Sequence, residues 1–272
     1  MSAQLTFQER LDAVADDFGR LCVGADPQPS VLDAWGLADT PAGVREFSER
    51  FADAFAGRVA LVKPQVAFFE RFGAAGFAVL EELIAALRAA GTLVLADAKR
   101  GDIGSTMAGY AAAWLGPGSP VACDAVTVSP YLGVGALEPA ATAADTALGG
   151  VFVLAATSNP QALDVQQTPG VDGLTLAQKV ADDTAALADT YPRATLGLVV
   201  GATLDRLHVP SLGAFSGPIL MPGVGAQGAS IAGALELAGS ARNRAWPAVS
   251  RAILRAGPDL EALRRAAESF TV

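Results

Sequence analysis

Short, almost continuously apolar runs alternate with longer amphipathic stretches along nearly the whole chain. The apolar runs at 20–26 (RLCVGAD), 58–63 (RVALVK), 92–99 (TLVLADAK), 125–129 (AVTVS), 150–157 (GVFVLAAT), 195–203 (TLGLVVGAT), 217–221 (GPILM) and 245–250 (AWPAVS) predict eight strands. They are rich in Val and Leu and lack the alternation of a half-exposed sheet, as expected of parallel strands covered on both faces. Helical stretches separate them. Thr40-Pro41 supplies an N-cap and a first-turn proline, after which Val44, Phe47, Phe51 and Phe55 share one face. FAVLEELIAALRAAG, 77–91, ends on Gly91, a suitable C′ residue. The opening MSAQLTFQERLDAVADDFG predicts one more helix, with Leu11, Val14, Ala15 and Phe18 along its apolar side. Eight strand–helix units favour an α/β fold of the (β/α)8 TIM-barrel type, with an extra N-terminal helix, over a doubly wound sheet. No linker, low-complexity tract or close repeat interrupts the pattern, so residues 1–272 read as a single barrel domain.

Composition narrows the functional classes. A 51% hydrophobic content over 272 residues is ample for a core, yet no apolar run reaches the roughly 18 residues of a membrane span. The first residues lack a basic start followed by an apolar stretch, so no export signal is expected. A net charge of −9 argues against nucleic acid and anionic membranes as partners. The two cysteines, Cys22 and Cys123, are far apart, and His208 is the only histidine. That excludes a CxxC knuckle, a histidine-based zinc site and a Ser-His-Asp triad, and makes a reducing cytoplasm the default location.

The chemistry concentrates where predicted strands end. LVLADAKRGDIGST, 93–106, runs from an apolar strand into Asp97, Lys99, Arg100 and Asp102. Of only three lysines, Lys179 falls in a polar helix, whereas Lys63 and Lys99 end strands. Asp97 and Lys99, two apart on a strand, point to the same side, and Lys63 ends the neighbouring strand. Together they predict a lysine–aspartate–lysine row at the barrel mouth, the face where catalytic residues of such barrels collect. Asp102 lies beyond the strand in a loop made flexible by Gly101 and Gly104. An ordinary ion-pair network at the rim is the alternative, but desolvated ion rows rarely add net stability over apolar packing, which favours function. Asp26, Ser129, Ser158 and Arg251 also follow strand ends.

A second motif, MPGVGAQG at 221–228, contains GxGxxG through Gly223, Gly225 and Gly228. A dinucleotide fingerprint needs an acidic residue about 20 positions on, where Ala248-Val249-Ser250-Arg251 stands instead. In a barrel, loops 7 and 8 commonly hold phosphate through backbone N–H groups, and Arg251 and Gln227 can reinforce that grip. A merely tight turn is the other reading. A phosphate site opposite a lysine–aspartate row implies a phosphorylated substrate of sugar-phosphate length, with no metal or organic cofactor site apparent.

At these residues the sequence resembles the orotidine 5′-phosphate decarboxylase family. DAKRGDIGST carries the family's DxKxxD element in the form of a longer bacterial branch, and VKPQVAFFE, TSNP, VVGAT, PGVGAQG and VSRAI are similar to that branch too. The resemblance implies cofactor-free decarboxylation of orotidine 5′-phosphate to UMP in a homodimer. It implies a catalytic tetrad of Lys63, Asp97 and Lys99 with Asp102 from the other subunit. Lys99 would protonate C6, Asp97 would face the substrate carboxylate, Asp26 and Lys63 the ribose hydroxyls, and Ser158 the pyrimidine. Ile103 and Thr106 would reach into the neighbouring site, while Gly225, Gln227 and Arg251 would bind the phosphate. Ser250, where a glycine often precedes the arginine, departs from the shorter branch, and Pro247 is unusual inside the eighth strand. Two competing readings are a magnesium-dependent sugar-phosphate decarboxylase or aldolase of the same superfamily, in which a glutamate would be expected where Lys63 stands, and a non-catalytic nucleotide-binding barrel.

Overall fold

The computed structural model describes residues 4–271. Eight parallel strands, β1 (Cys22–Ala25), β2 (Leu61–Pro64), β3 (Leu93–Arg100), β4 (Ala125–Val128), β5 (Gly150–Ala156), β6 (Thr195–Val200), β7 (Ile219–Pro222) and β8 (Ala245–Val249), lie in sequence order. β8 pairs back onto β1, Cys22 opposite Ala248, and the sheet closes as a (β/α)8 barrel. Closure leaves no strand edge exposed, and the interior is filled by Leu61, Leu93, Leu95, Phe152, Leu220 and Trp246.

The helices form the outer layer. α1 (Phe7–Phe18) precedes the barrel; α2 (Pro29–Ala34) and α3 (Pro41–Phe55) make the first connection, α4 (Ala67–Glu70) and α5 (Gly73–Ala89) the second. α6 (Gly104–Leu115), α7 (Glu138–Ala147), the pair α8 (Leu163–Gln166) and α9 (Leu176–Thr190), and α10 (Ile231–Ala238) serve later connections. α11 (Arg251–Leu254) and α12 (Leu260–Glu268) follow β8. Thr40 caps α3 by accepting the Gly43 N–H at 3.2 Å, and the predicted face of Val44, Phe47, Phe51 and Phe55 is buried. The connection from β6 to β7 differs from the expected helix: it holds only the 3₁₀ turn Arg206–His208. Pro210, Gly213, Gly217 and Pro218 crowd that segment and oppose helix propagation.

α1 closes the barrel floor. A capping box between Thr6 and Glu9 starts it. The Phe7 ring then meets Phe152 edge-on at 6.3 Å, Gln8 N donates to Thr195 Oγ1 at 2.8 Å, and Arg10 pairs at 2.5 Å with the buried Asp124. Leu11 and Ala15 are buried as expected, but Phe18 is exposed at the helix end beside a groove shared with Leu21 and Phe55. With the floor sealed, the open end is the one where strands finish. Among the described residues no helix is long and apolar enough to cross a membrane.

Candidate active site

At the open end, β2 and β3 deliver three charged side chains to one place. Lys63 Nζ donates to Asp97 Oδ2 at 2.9 Å and Lys99 Nζ to Asp97 Oδ1 at 2.5 Å. Two further donors complete the carboxylate: Gln65 Nε2 reaches Oδ2 at 2.8 Å and Thr127 Oγ1 reaches Oδ1 at 3.0 Å. A carboxylate has about four acceptor sites, so Asp97 is saturated only when ionised. Burial by itself would raise its pKa, but the two ammonium groups outweigh that and hold the carboxyl well below the usual carboxylate range. For Lys63, burial works against the charge, yet Asp97 and Asp26 prevail and raise its pKa above the ordinary lysine value. Lys63 and Asp97 are buried side chains, whereas that of Lys99 is 44% exposed and free to face a ligand.

The way Lys99 reaches this position is not simple strand alternation. Its φ is +50°, in the left-handed region, and the β3–β4 register shifts between Ala96 and Arg100. A non-glycine residue there costs roughly 1–3 kcal/mol, and such strain clusters at functional sites. Lys99 N–H donates to Thr127 Oγ1 at 3.0 Å. Gly101 is a point of close approach and not of slack: a Cβ there would come within 2.5 Å of the Ser129 carbonyl oxygen.

Asp97, Lys63 and Lys99 line a cavity of about 240 Å³ together with Asp26, Thr157, Gln227 and Arg251. Four larger grooves, one between α6 and α7, lie elsewhere among the described residues and contain none of the row. Two buried polar atoms of the cavity wall, Asp26 Oδ1 and Ser250 Oγ, have no hydrogen-bond partner among the described residues. Nor does any carboxylate there pair with Arg251. Buried polar groups are normally satisfied, so these point at a ligand. Cys22 lies deeper in the barrel, where burial pushes its thiol up to about 12 and keeps it protonated. Among the described residues no three His, Cys, Asp or Glu side chains gather as a metal-ligand set.

Three expected site residues stand apart from the row within this chain. Ser158 is exposed and packs on Gly201; Thr157 lines the cavity in its place, held by Gln166, which accepts from its N–H at 2.8 Å and donates to its Oγ1 at 3.0 Å. Gly225 is not in the wall: its N–H is used by the Ala229 carbonyl at 2.8 Å, and at φ +78° its missing Cβ leaves room for Ala252, which a side chain would meet at 2.7 Å. The loop's wall is made by Gly223, Val224, Ala226 and Gln227. Asp102 does not join Lys99 within the chain. Its Oδ1 accepts the Ile103 N–H at 2.8 Å at the start of α6, and Ile103 and Thr106 are exposed beside it. Gln65, Thr127 and Thr157 were not anticipated; threonines inside apolar β-branched runs look like ordinary strand formers.

Residues 19–266 match the profile described as the orotidine 5′-phosphate decarboxylase / HUMPS family. A Corynebacterium glutamicum protein named orotidine 5′-phosphate decarboxylase is 53% identical over 264 residues, covering 96% of this chain and 94% of that one. A Salinispora tropica protein of the same name is also 53% identical, covering 97% and 95%. The structure of Leishmania donovani OMP decarboxylase superposes with a TM-score of 0.78 at 33% identity, covering 98% of this chain and 96% of that chain. A Streptomyces avermitilis crystal structure, provisionally assigned the same activity, reaches 0.94 at 50% identity, covering 99% and 94%.

Proposed function

The chain belongs to the orotidine 5′-phosphate decarboxylase / HUMPS family, and on that footing we propose that it converts orotidine 5′-phosphate to UMP and CO₂, the last step of de novo pyrimidine nucleotide synthesis. The observation that carries this reading is the buried Lys63–Asp97–Lys99 row, with a half-exposed ammonium aimed into a cavity that also holds an unpaired arginine. Cleaving the bond between C6 and its carboxylate leaves an electron pair on C6 with no ring position to delocalise it. A fixed cation beside C6 stabilises that pair as it forms, and the Lys99 ammonium then transfers a proton to C6, being recharged from solvent. Two lysines against one aspartate leave the row with net positive charge where the carbanion develops, and Asp97 faces the departing carboxylate.

Arg251 and Gln227 bind the 5′-phosphate, supported by their place in the wall and by the absence, among the described residues, of a counter-ion for Arg251. The unpartnered Asp26 oxygen suits a ribose hydroxyl as donor. Lys63 is what favours this reading over the magnesium-dependent sugar-phosphate members, in which that strand end would carry an acid. Asp102, Ile103 and Thr106 complete the site of a second copy in a homodimer, a reading supported by the exposure of Ile103 and Thr106 and by the lack, among the described residues, of an ion pair between Asp102 and either lysine of the row. Two buried free thiols suit a reducing cytoplasm.

The test is to follow the ultraviolet absorbance of orotidine 5′-phosphate with enzyme, with and without EDTA. Equal loss of absorbance in both arms is expected. Activity abolished by EDTA and restored by Mg²⁺ would move the assignment to the metal-dependent branch.

A further inference from the structure

Thr127 sits in the middle of β4 facing the barrel interior, 1% exposed, between the two parts of β3 that matter most. Its oxygen accepts the main-chain N–H of Lys99 at 3.0 Å, and its own proton goes to Asp97 Oδ1 at 3.0 Å. The direction is forced. A hydroxyl has one proton, a backbone N–H can only donate, and an ionised carboxylate can only accept. One side chain thus ties the backbone of the half-exposed lysine to the carboxylate that its ammonium also touches.

That double tie answers a problem the fold creates. Lys99 is held at φ +50°, a conformation an L residue with a Cβ abandons unless its surroundings fix it, and the β3–β4 pairing is interrupted between Ala96 and Arg100. The β3–β4 ladder therefore does not hold this stretch, and on that side the Thr127 hydroxyl takes its place. The Lys99 ammonium, by contrast, has among the described residues a single partner, Asp97 Oδ1. The hydroxyl orients that oxygen and the lysine's main chain together, so the ammonium is fixed from both ends.

Resting on the reading of the site as a decarboxylase, we propose that Thr127 is a positioning residue for the decarboxylation step: it touches no substrate, and it sets where the Lys99 ammonium stands relative to C6. Binding depends on the phosphate and ribose contacts at the far side of the cavity, so the loss should fall on turnover and not on affinity.

The experiment compares Thr127→Val, which keeps the shape and removes the hydroxyl, with Thr127→Ser, which keeps the hydroxyl. Each is assayed for kcat and KM with orotidine 5′-phosphate, and calorimetric titration with UMP counts the competent sites. Per UMP-binding site, Thr127→Val should lose about 10- to 100-fold in kcat, the scale of a hydrogen bond to a charged group, while KM and UMP affinity stay within about threefold. Thr127→Ser should remain within about fivefold of wild type in kcat by the same scale. Wild-type kcat per site in Thr127→Val, or equal losses in the Ser and Val variants, overturns the proposal. Should Thr127→Val fail to fold, Thr127→Ala replaces it with the same expectation; failure of both would mark the hydroxyl as purely structural and overturn it too. A wild-type enzyme that binds UMP but leaves orotidine 5′-phosphate untouched would defeat the parent reading, a result distinct from an active wild type beside an unimpaired Val variant.

Discussion

Asp97 spends its whole accepting capacity on two ammonium groups, an amide and a hydroxyl, and that determines what its removal does. Asp97→Asn strands the buried Lys63 ammonium, which should cost about 3–5 kcal/mol in urea unfolding at pH 7, whereas Lys63→Met with Asp97→Asn should recover much of that loss. The sign of the pH effect follows from the lowered Asp97 pKa. A folded value below the unfolded one of about 4 gives stability that is present above pH 4 and disappears as pH falls through the folded value. The raised Lys63 pKa gives the mirror case, stability present below about pH 10 and lost only above it. Stability measured from pH 5 down to pH 2 should therefore fall less steeply in the double variant, by up to about 1.4 kcal/mol per pH unit, and parallel slopes would contradict the ionised row. Lys99→Ala should lower kcat by at least about 10³-fold with UMP affinity largely kept, because its charge acts on electrons that appear only during reaction; a variant keeping a tenth of wild-type kcat would rule Lys99 out as proton donor. The row was legible in the sequence since charges ending apolar strands are conspicuous. Thr127 and Thr157 were not, because what distinguishes them is a hydrogen-bond partner on another strand or loop.

Among the elements, the strands were legible to within one to three residues, since burial on both faces writes an apolar run regardless of loop detail. The irregular pieces were not: the β6–β7 connection without an α-helix and the left-handed turn at Lys99 depend on contacts remote in sequence. Two elements make opposite predictions. α1 supports the floor and is far from the cavity, so Phe7→Ala, which empties a fully buried aromatic site against Phe152, should cost about 3–5 kcal/mol in unfolding free energy while kcat at 25 °C stays near wild type. A large loss of kcat in protein shown to be folded would contradict the division of labour between the two barrel ends. The β8–α11 junction is the reverse case. Arg251→Ala removes a half-buried cation with no partner among the described residues, so folding should be little affected, while kcat/KM should fall by about 2–5 kcal/mol through both KM and kcat as remote binding energy is withdrawn. A substrate lacking the phosphate should lose nothing further in this variant; an equal loss with it would detach Arg251 from the phosphate.

At the scale of the whole molecule, the question is what completes the site. One barrel gathers Lys63, Asp97 and Lys99 but turns Asp102 onto the start of α6, with Ile103, 61% exposed, and Thr106 beside it. An exposed aliphatic side chain next to a carboxylate at the rim of a charged cavity fits a surface that a second copy covers, and a two-fold dimer would then use the same patch twice. In such a dimer each site takes its row from one chain and its Asp102 from the other. Lys99→Ala and Asp102→Ala should each be nearly inactive alone, yet mixing them under conditions of subunit exchange produces dimers in which one site carries both lesions and the other carries neither. Random reassortment of equal amounts makes half of all dimers mixed, each with one intact site of two, so activity should recover to about a quarter of wild type per site. Recovery should rise with the time allowed for exchange and vanish when the variants are cross-linked beforehand. If exchange is demonstrated independently, for instance by mass-labelled subunits, and activity does not return, Asp102 serves its own barrel and the shared site is wrong.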